Sequence, residues 1–198
     1  MAAGQVFSWI KAFYPQYIGI KRYPAIQCAL VDKSADEWGI LGNFGRASVV
    51  VNGVEFSNTE KLFQCMKFRS VEAVRAVYAQ KGLPIKNVAR KWEKTDMRED
   101  WPTYFLDALK FVLMTKYEQS EAFRADLERS KGLYIVEDET NRLKNKKNKE
   151  ACAYATARKG DEMVGPNLLG QFLMELRDTG KLDYTLPADA LDFVEHLK

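Results

Sequence analysis

A chain of 198 residues with 46% apolar and 12% aromatic side chains can bury a substantial core as one domain, which excludes a disordered tail. Its net charge of +3 is too small to mark a nucleic-acid binder by itself, so any such reading must rest on local clusters.

The predicted elements begin with residues 5–30. Phe7, Trp9, Ile10, Phe13, Tyr14 and Tyr17, then Ile18, Ile20, Tyr23 and Ile26, suggest a packed segment that is first helical and then extended. A polar turn at 32–37 leads into Trp38-Gly39-Ile40-Leu41-Gly42-Asn43-Phe44-Gly45. Three glycines in seven residues describe either an ordinary turn or a loop where the backbone closely approaches something. Residues 48–51 and 54–56 predict a hairpin around Asn52-Gly53. Residues 70–81 have helical spacing ended by Gly82-Leu83-Pro84, a short helix is expected over 88–92, and Asp100-Trp101-Pro102 opens a longer one to Tyr117. Leu133 to Val136 reads as a buried strand ending in three acids. Arg142-Leu143-Lys144-Asn145-Lys146-Lys147-Asn148-Lys149 carries five cations and no anion, which is either a solvated loop or one that contacts phosphates. Residues 163–170 lead into a helix through Phe172 and Arg177 that Gly180 stops, and a turn and short closing helix follow.

The chain is organised around residues 56–68. Ser57 and Glu60 have the spacing of a capping box. In a helix continuing to Phe68, Glu60, Gln64 and Lys67 share one face flanked by Phe63 and Phe68, with Leu62 and Met66 roughly opposite. Lys61 and Arg69 form a separate arc, expected to face water. An acid, an amide and an amine framed by aromatics fit a pocket; the alternative is a capping carboxylate with a surface lysine.

The one histidine, His196, lies two residues from the C-terminus, which argues against Ser-His-Asp or Cys-His catalysis and against a histidine-built metal site. Cys28, Cys65 and Cys152 are isolated and odd in number, which fits a reducing compartment better than a disulfide scaffold. With no long apolar run and no signal-peptide pattern, the expected location is the cytoplasm, with no membrane partner. No cofactor and no metal are expected. The domain expectation is an extension over 1–37 packed on a domain over 38–180, with a closing segment over 181–198.

These residues resemble the NADAR (YbiA-like) superfamily over roughly 38–178. The resemblance rests on Leu41-Gly42-Asn43-Phe44, Asn52-Gly53-Val54-Glu55-Phe56 before Ser57-x-x-Glu60, and Phe63-Gln64-x-x-Lys67-Phe68. It is completed by Trp101 before a long helix and by Gly165-x-Asn167-x-Leu169-Gly170-x-x-Leu173-Met174-x-x-Arg177. It implies a predominantly helical α+β domain with a small sheet, and a hydrolase of ribosyl N-glycosidic bonds. One family activity removes ADP-ribose from guanine in nucleic acid, reversing DarT-type toxins in an antitoxin-like role. Another cleaves phosphoribosylamino intermediates of riboflavin synthesis. Where many riboflavin-type members have a Trp-Gly pair, this chain has the basic run, which suits a larger polyanionic substrate such as ADP-ribosylated DNA or RNA. A binding module without catalysis and a purely structural partner protein are the competing classes.

Breaking a ribosyl C–N bond builds positive charge on the sugar carbon while the leaving amine needs a proton. Glu60 is therefore the expected acid/base and Lys67 the amine nucleophile or an electrostatic partner, about 10 Å apart along a helix axis. Gln64 would orient the sugar. Asn43, Phe44, Gly45, Asn167 and Gly170 are candidates for substrate binding, as is Trp101, which has an equal claim to the core. Arg142, Lys144, Lys146 and Lys147 are candidate nucleic-acid contacts.

Overall fold

The computed structural model describes residues 3–145, 147 and 150–198. In chain order its helices are α1 (Ala3–Phe13), α2 (Thr59–Cys65), α3 (Val71–Tyr78), α4 (Pro84–Trp92), α5 (Trp101–Gln119), α6 (Glu121–Arg129), α7 (Thr140–Leu143) and α8 (Leu168–Thr179). The strands are β1 (Lys21–Pro24), β2 (Cys28–Val31), β3 (Val49–Val51), β4 (Val54–Phe56), β5 (Tyr134–Glu137), β6 (Ala157–Lys159) and β7 (Glu162–Gly165). The fold is the expected mixture of helices with small sheets. Contacts divide it into two units, residues 43–121 with 183–198, and residues 3–42 with 122–182.

In the first unit, β3 and β4 pair with Val49 opposite Phe56 and Val51 opposite Val54. Asn52 (φ 48°) and Gly53 (φ 83°) close the hairpin, both left-handed as a type I′ turn requires. Val49, Val51, Val54 and Phe56 are buried while Val50 and Glu55 are exposed, so the alternation sets the register. The Gln119 amide at the end of α5 accepts from the Val50 N–H (2.7 Å) and donates to the Val50 carbonyl (2.9 Å), which covers the strand edge. The chain then enters α2, where the helix cap differs from the expected one. The cap is Asn58, whose Oδ1 accepts from the Lys61 N–H at 2.9 Å, and the Glu60 carboxylate is left for other use.

Every residue of α2 is buried because α3, α4 and α5 all pack against it. Lys61 is therefore only 7% exposed, with its ammonium 4.9 Å from the Tyr78 ring centroid, and does not face water as expected. Arg69 is exposed but lies beyond the helix end. α4 starts at Pro84, four residues before the expected helix, because proline's fixed φ suits the first helical position. The closing segment belongs to this unit and ends in a 3-10 helix over Asp192–Leu197 that buries Phe193 and Val194.

In the second unit, β7 lies between β1 and β6 in an antiparallel sheet, and β2 runs parallel to β5. The hairpin β6–β7 was not evident in the sequence, since only Ala157 of β6 is buried and no alternation is visible. Residues 21–31, within the expected extension, supply β1 and β2 and are partners of β7 and β5. α8 packs on β5 and is stopped by Gly180 (φ 74°), whose N–H bonds the Leu176 carbonyl at 2.8 Å. Among the described residues, no helix is long and apolar enough to cross a membrane.

Candidate active site

The loop after Gly42 anchors the first turn of α2. The Asn43 carbonyl accepts the Glu60 N–H (2.9 Å) and the Thr59 hydroxyl (3.2 Å), which also lies 3.3 Å from Asn43 Oδ1. A helix start leaves its first N–H groups without partners, and Asn43 satisfies one of them. Asn43 thus positions Glu60. Gly45 is buried behind it, its carbonyl bonded to the Ala47 N–H at 2.8 Å. Phe44 is half-buried, and its ring centroid lies 5.0 Å from Lys86 Nζ.

Glu60 is 3% exposed as a residue. Its Oε1 accepts from Gln64 Nε2 at 2.7 Å, one turn further along α2, and lies 3.5 Å from Lys86 Nζ. Gln64 therefore holds the acid. The expected helical face breaks at this point, because α2 ends at Cys65 and Lys67 sits in the following turn. Leaving the helix redirects Lys67: its Nζ donates to Glu93 Oε1 at 2.7 Å, with side-chain exposures of only 2% and 7%. The ammonium lies 5.8 Å from the Phe63 ring centroid and 5.9 Å from that of Trp101. Trp101 is both core and site wall: fully buried, it meets Phe63 edge-on at 5.3 Å and leaves its indole N–H without a hydrogen-bond partner.

Burial and pairing act in opposite directions on these charges. Burial holds the Lys67 amine below the ordinary lysine value, with Glu93 and Glu60 opposing and Lys86 reinforcing the shift. Burial pushes Glu93 up, yet Glu93 sits below the ordinary carboxylate value, with the ion pair and hydrogen bond to Lys67 among the influences that lower it. Burial pushes the Cys28 and Cys65 thiols up to about 11 and about 12, and it raises Cys152 further, which makes all three poor thiolate nucleophiles. Among the described residues, no group of three or more His, Cys, Asp or Glu side chains is placed to hold a metal ion.

The turn bearing Lys67 is clamped from behind. Its carbonyl accepts the Arg98 N–H at 2.8 Å, and Phe68 bridges Met97. The Arg98 guanidinium, 4% exposed as a residue, binds the Asp100 carboxylate (2.9 and 2.7 Å) and Asp189 Oδ1 (2.7 Å). A 270 Å³ cleft lined by Phe68, Arg69, Arg98, Asp189, Phe193 and His196 borders this clamp. Glu60 and Lys67 do not line it; both side chains are buried among their partners. Lys86, its side chain 36% exposed, and the half-buried Phe44 are the more exposed residues of the cluster around Glu60.

The sequence profile of the NADAR domain matches residues 30–179. The chain belongs to the NADAR domain family. That family is associated with N-glycosidase activity. A riboflavin biosynthesis protein of Vibrio vulnificus (strain YJ016) is 24% identical over 164 residues, covering 81% of this chain and 40% of that protein, so the chain spans about two fifths of the length of the curated relative it matches. The NMR structure of the E. coli protein YbiA is similar in fold, with a TM-score of 0.57 and 23% identity over 78% of this chain and 89% of that one.

The other residues expected at the site lie in the second unit of this NADAR domain. Asn167, itself left-handed (φ 55°), donates to the Ile135 carbonyl (3.0 Å) and accepts from the Glu137 N–H (3.2 Å). Its amide ties β5 to the start of α8, a structural use in place of the expected grip on base or ribose. A Cβ on Gly170 would come within 2.1 Å of the Ile135 carbonyl oxygen, so that glycine permits close helix–strand packing. Arg142 pairs with Glu139, Lys144 and Lys147 are exposed, and Lys146 lies outside the described residues.

Glu93 and Lys86 were missed in the sequence. Both belong to the α4 segment, seven residues apart and hence on one helical face. Starting that helix at Val88 hid Lys86, and Glu93 follows its last turn.

Proposed function

We propose that this protein hydrolyses the N-glycosidic bond of a ribosyl compound, removing ADP-ribose from guanine in nucleic acid. In that reading it acts as an antitoxin-like reverser of a DarT-type toxin. The observation that carries the proposal is a buried carboxylic acid and a buried amine close enough to interact electrostatically, Glu60 at 3% and Lys67 at 2% exposure, with the Phe63 and Trp101 rings beside the amine. A purely structural protein would gain more from apolar residues at these positions, because two desolvated ion-pairing groups are costly to fold. The family's association with N-glycosidase activity supports the same chemistry, and the high thiol pKa values leave the cysteines unsuited to replace Lys67.

Glu60 delivers a proton to the ring oxygen as the sugar opens, leaving C1′ doubly bonded to the base nitrogen. The neutral Lys67 amine adds to C1′, and a proton passes from its nitrogen to the base nitrogen. The C1′–N bond to the base breaks and leaves a Schiff base on Lys67. Water adds to C1′, freeing the sugar aldehyde and regenerating the amine, while the remaining proton returns to Glu60. The buried indole N–H of Trp101 supplies a donor for a sugar oxygen.

The second reading is cleavage of a phosphoribosylamino intermediate of riboflavin synthesis, favoured by the likeness to the Vibrio protein. The exposed Lys144 and Lys147 support the nucleic-acid substrate instead. The test is incubation with ADP-ribosylated guanine oligonucleotide and, separately, with the riboflavin intermediate, with Glu60→Gln as control. Sugar release from the oligonucleotide by the wild type, reduced about 100- to 10,000-fold in the variant, is expected. Release from the intermediate alone assigns the second reading, and binding of either without release leaves a non-catalytic module.

A further inference from the structure

We propose that the segment over 183–198 positions Lys67, with Asp189 and His196 as the positioning residues that hold the turn carrying the amine. This rests on the reading of Lys67 as the group that adds to C1′. The segment lies beyond residues 30–179, which the NADAR profile matches, so these two residues stand outside the family's motifs.

A lysine within a helix takes its placement from the helix. Lys67 does not, because α2 ends at Cys65 and the carbonyls at and beyond a helix end need partners from elsewhere. Other segments supply them. The Met66 carbonyl accepts from the Tyr104 hydroxyl at 3.4 Å, the Lys67 carbonyl from the Arg98 N–H at 2.8 Å, and the Arg69 carbonyl from His196 Nε2 at 2.8 Å. A carbonyl oxygen only accepts, so His196 Nε2 carries the proton in this bond. The carbonyl of His196 in turn accepts from Arg75 Nε of α3 at 2.8 Å, which fixes the backbone behind the ring.

Asp189 makes the second grip. Its Oδ1 accepts from Arg98 at 2.7 Å and its Oδ2 from Arg69 at 2.8 Å, while its backbone carbonyl accepts a further bond from Arg98 at 3.1 Å. One carboxylate therefore ties the residue bonded to the Lys67 carbonyl to the strand of chain that leaves the turn. Between the two grips Phe193 and Val194 are buried, with the Phe193 ring centroid 6.1 Å from that of Phe56, so apolar contact seats the segment. The consequence passes along the lysine side chain. Lys67 reaches Glu93 at 2.7 Å with only 2% of its side chain exposed, and a misplacement of ~1 Å at a reacting group costs on the order of 100-fold in rate. A loosened turn also admits water to the ammonium and relaxes the burial that lowers its pKa.

The test compares wild type, Asp189→Ala, His196→Ala and His196→Gln, whose side-chain amide N–H replaces the Nε2 donor, with thermal unfolding of each measured alongside. Steady-state kinetics give kcat and KM on the substrate that the wild type cleaves. Carbon-13 NMR of lysine-labelled protein follows the Lys67 Cε resonance against pH, identified as the one missing from Lys67→Ala. The expected result is a kcat about 10- to 100-fold lower in Asp189→Ala and His196→Ala with KM little changed, and a Lys67 titration moved up toward that of an ordinary lysine. His196→Gln restores both. A lowered unfolding midpoint with wild-type kcat and an unmoved titration overturns the inference and leaves the segment a structural cover. If the wild type cleaves no substrate, the parent reading fails separately and the NMR titration decides for the segment: a shift in His196→Ala that His196→Gln reverses upholds the positioning, and no shift removes it.

Discussion

The lysine at the centre of the site is deprived of water yet paired with a carboxylate, and each condition has a measurable sign. Lys67 must be neutral to add to C1′, so kcat should rise as pH increases through its pKa, which burial holds below that of an ordinary lysine. Glu93 opposes that shift, so Glu93→Gln should move the limb to lower pH; an unmoved limb in the pH–rate profile would remove Glu93 from control of the amine. The stability signs are separate. A lysine lowered on folding binds its proton more weakly folded than unfolded, so its contribution improves as pH rises between the two pKa values. Glu93, also lowered, contributes stability that is present above the unfolded carboxylate value and lost as pH falls through the folded one. From sequence, Glu60, Gln64 and Lys67 were legible as a group because aromatics frame them. Their partners Glu93 and Lys86 were not, since nothing local in the chain says which distant charge will pair with them.

Among the elements, the hairpin was readable because Asn52-Gly53 suits the two left-handed positions, and α5 because its apolar stripe is long. α2 is the instructive error. Being buried on all sides, it shows no solvated arc, and a periodicity argument that expects one misplaces both Lys61 and the helix end. Its cap provides a test: Asn58→Ala should lower stability by about 1 kcal/mol in urea denaturation while Ser57→Ala costs little, because Asn58 Oδ1 holds the Lys61 N–H. The reverse order would restore Ser57 as the cap. The β6–β7 hairpin escaped notice for the opposite reason, since two of its three β6 residues are exposed. Asn167 had the residue type of a ligand-binding group, but its side chain is used by the β5 backbone, a long-range demand that spacing does not reveal.

At the scale of the whole molecule, the family follows from motifs in the right order, and the proposed nucleic-acid substrate rests on charge placed away from those motifs. The exposed Lys144 and Lys147 should make hydrolysis of an ADP-ribosylated oligonucleotide fall steeply with added salt, with log kcat/KM linear in log salt concentration, while an ADP-ribosylated free base is far less affected. Parallel salt responses of the two substrates would take the basic run out of recognition. The central claim, that Lys67 is an amine nucleophile toward C1′, is tested most directly by adding borohydride during turnover and mapping the reduced adduct by peptide mass spectrometry. A sugar mass on Lys67 in the wild type, absent from Lys67→Ala, is the expected result. Full turnover with no adduct on Lys67 would contradict it and leave the ammonium an electrostatic part.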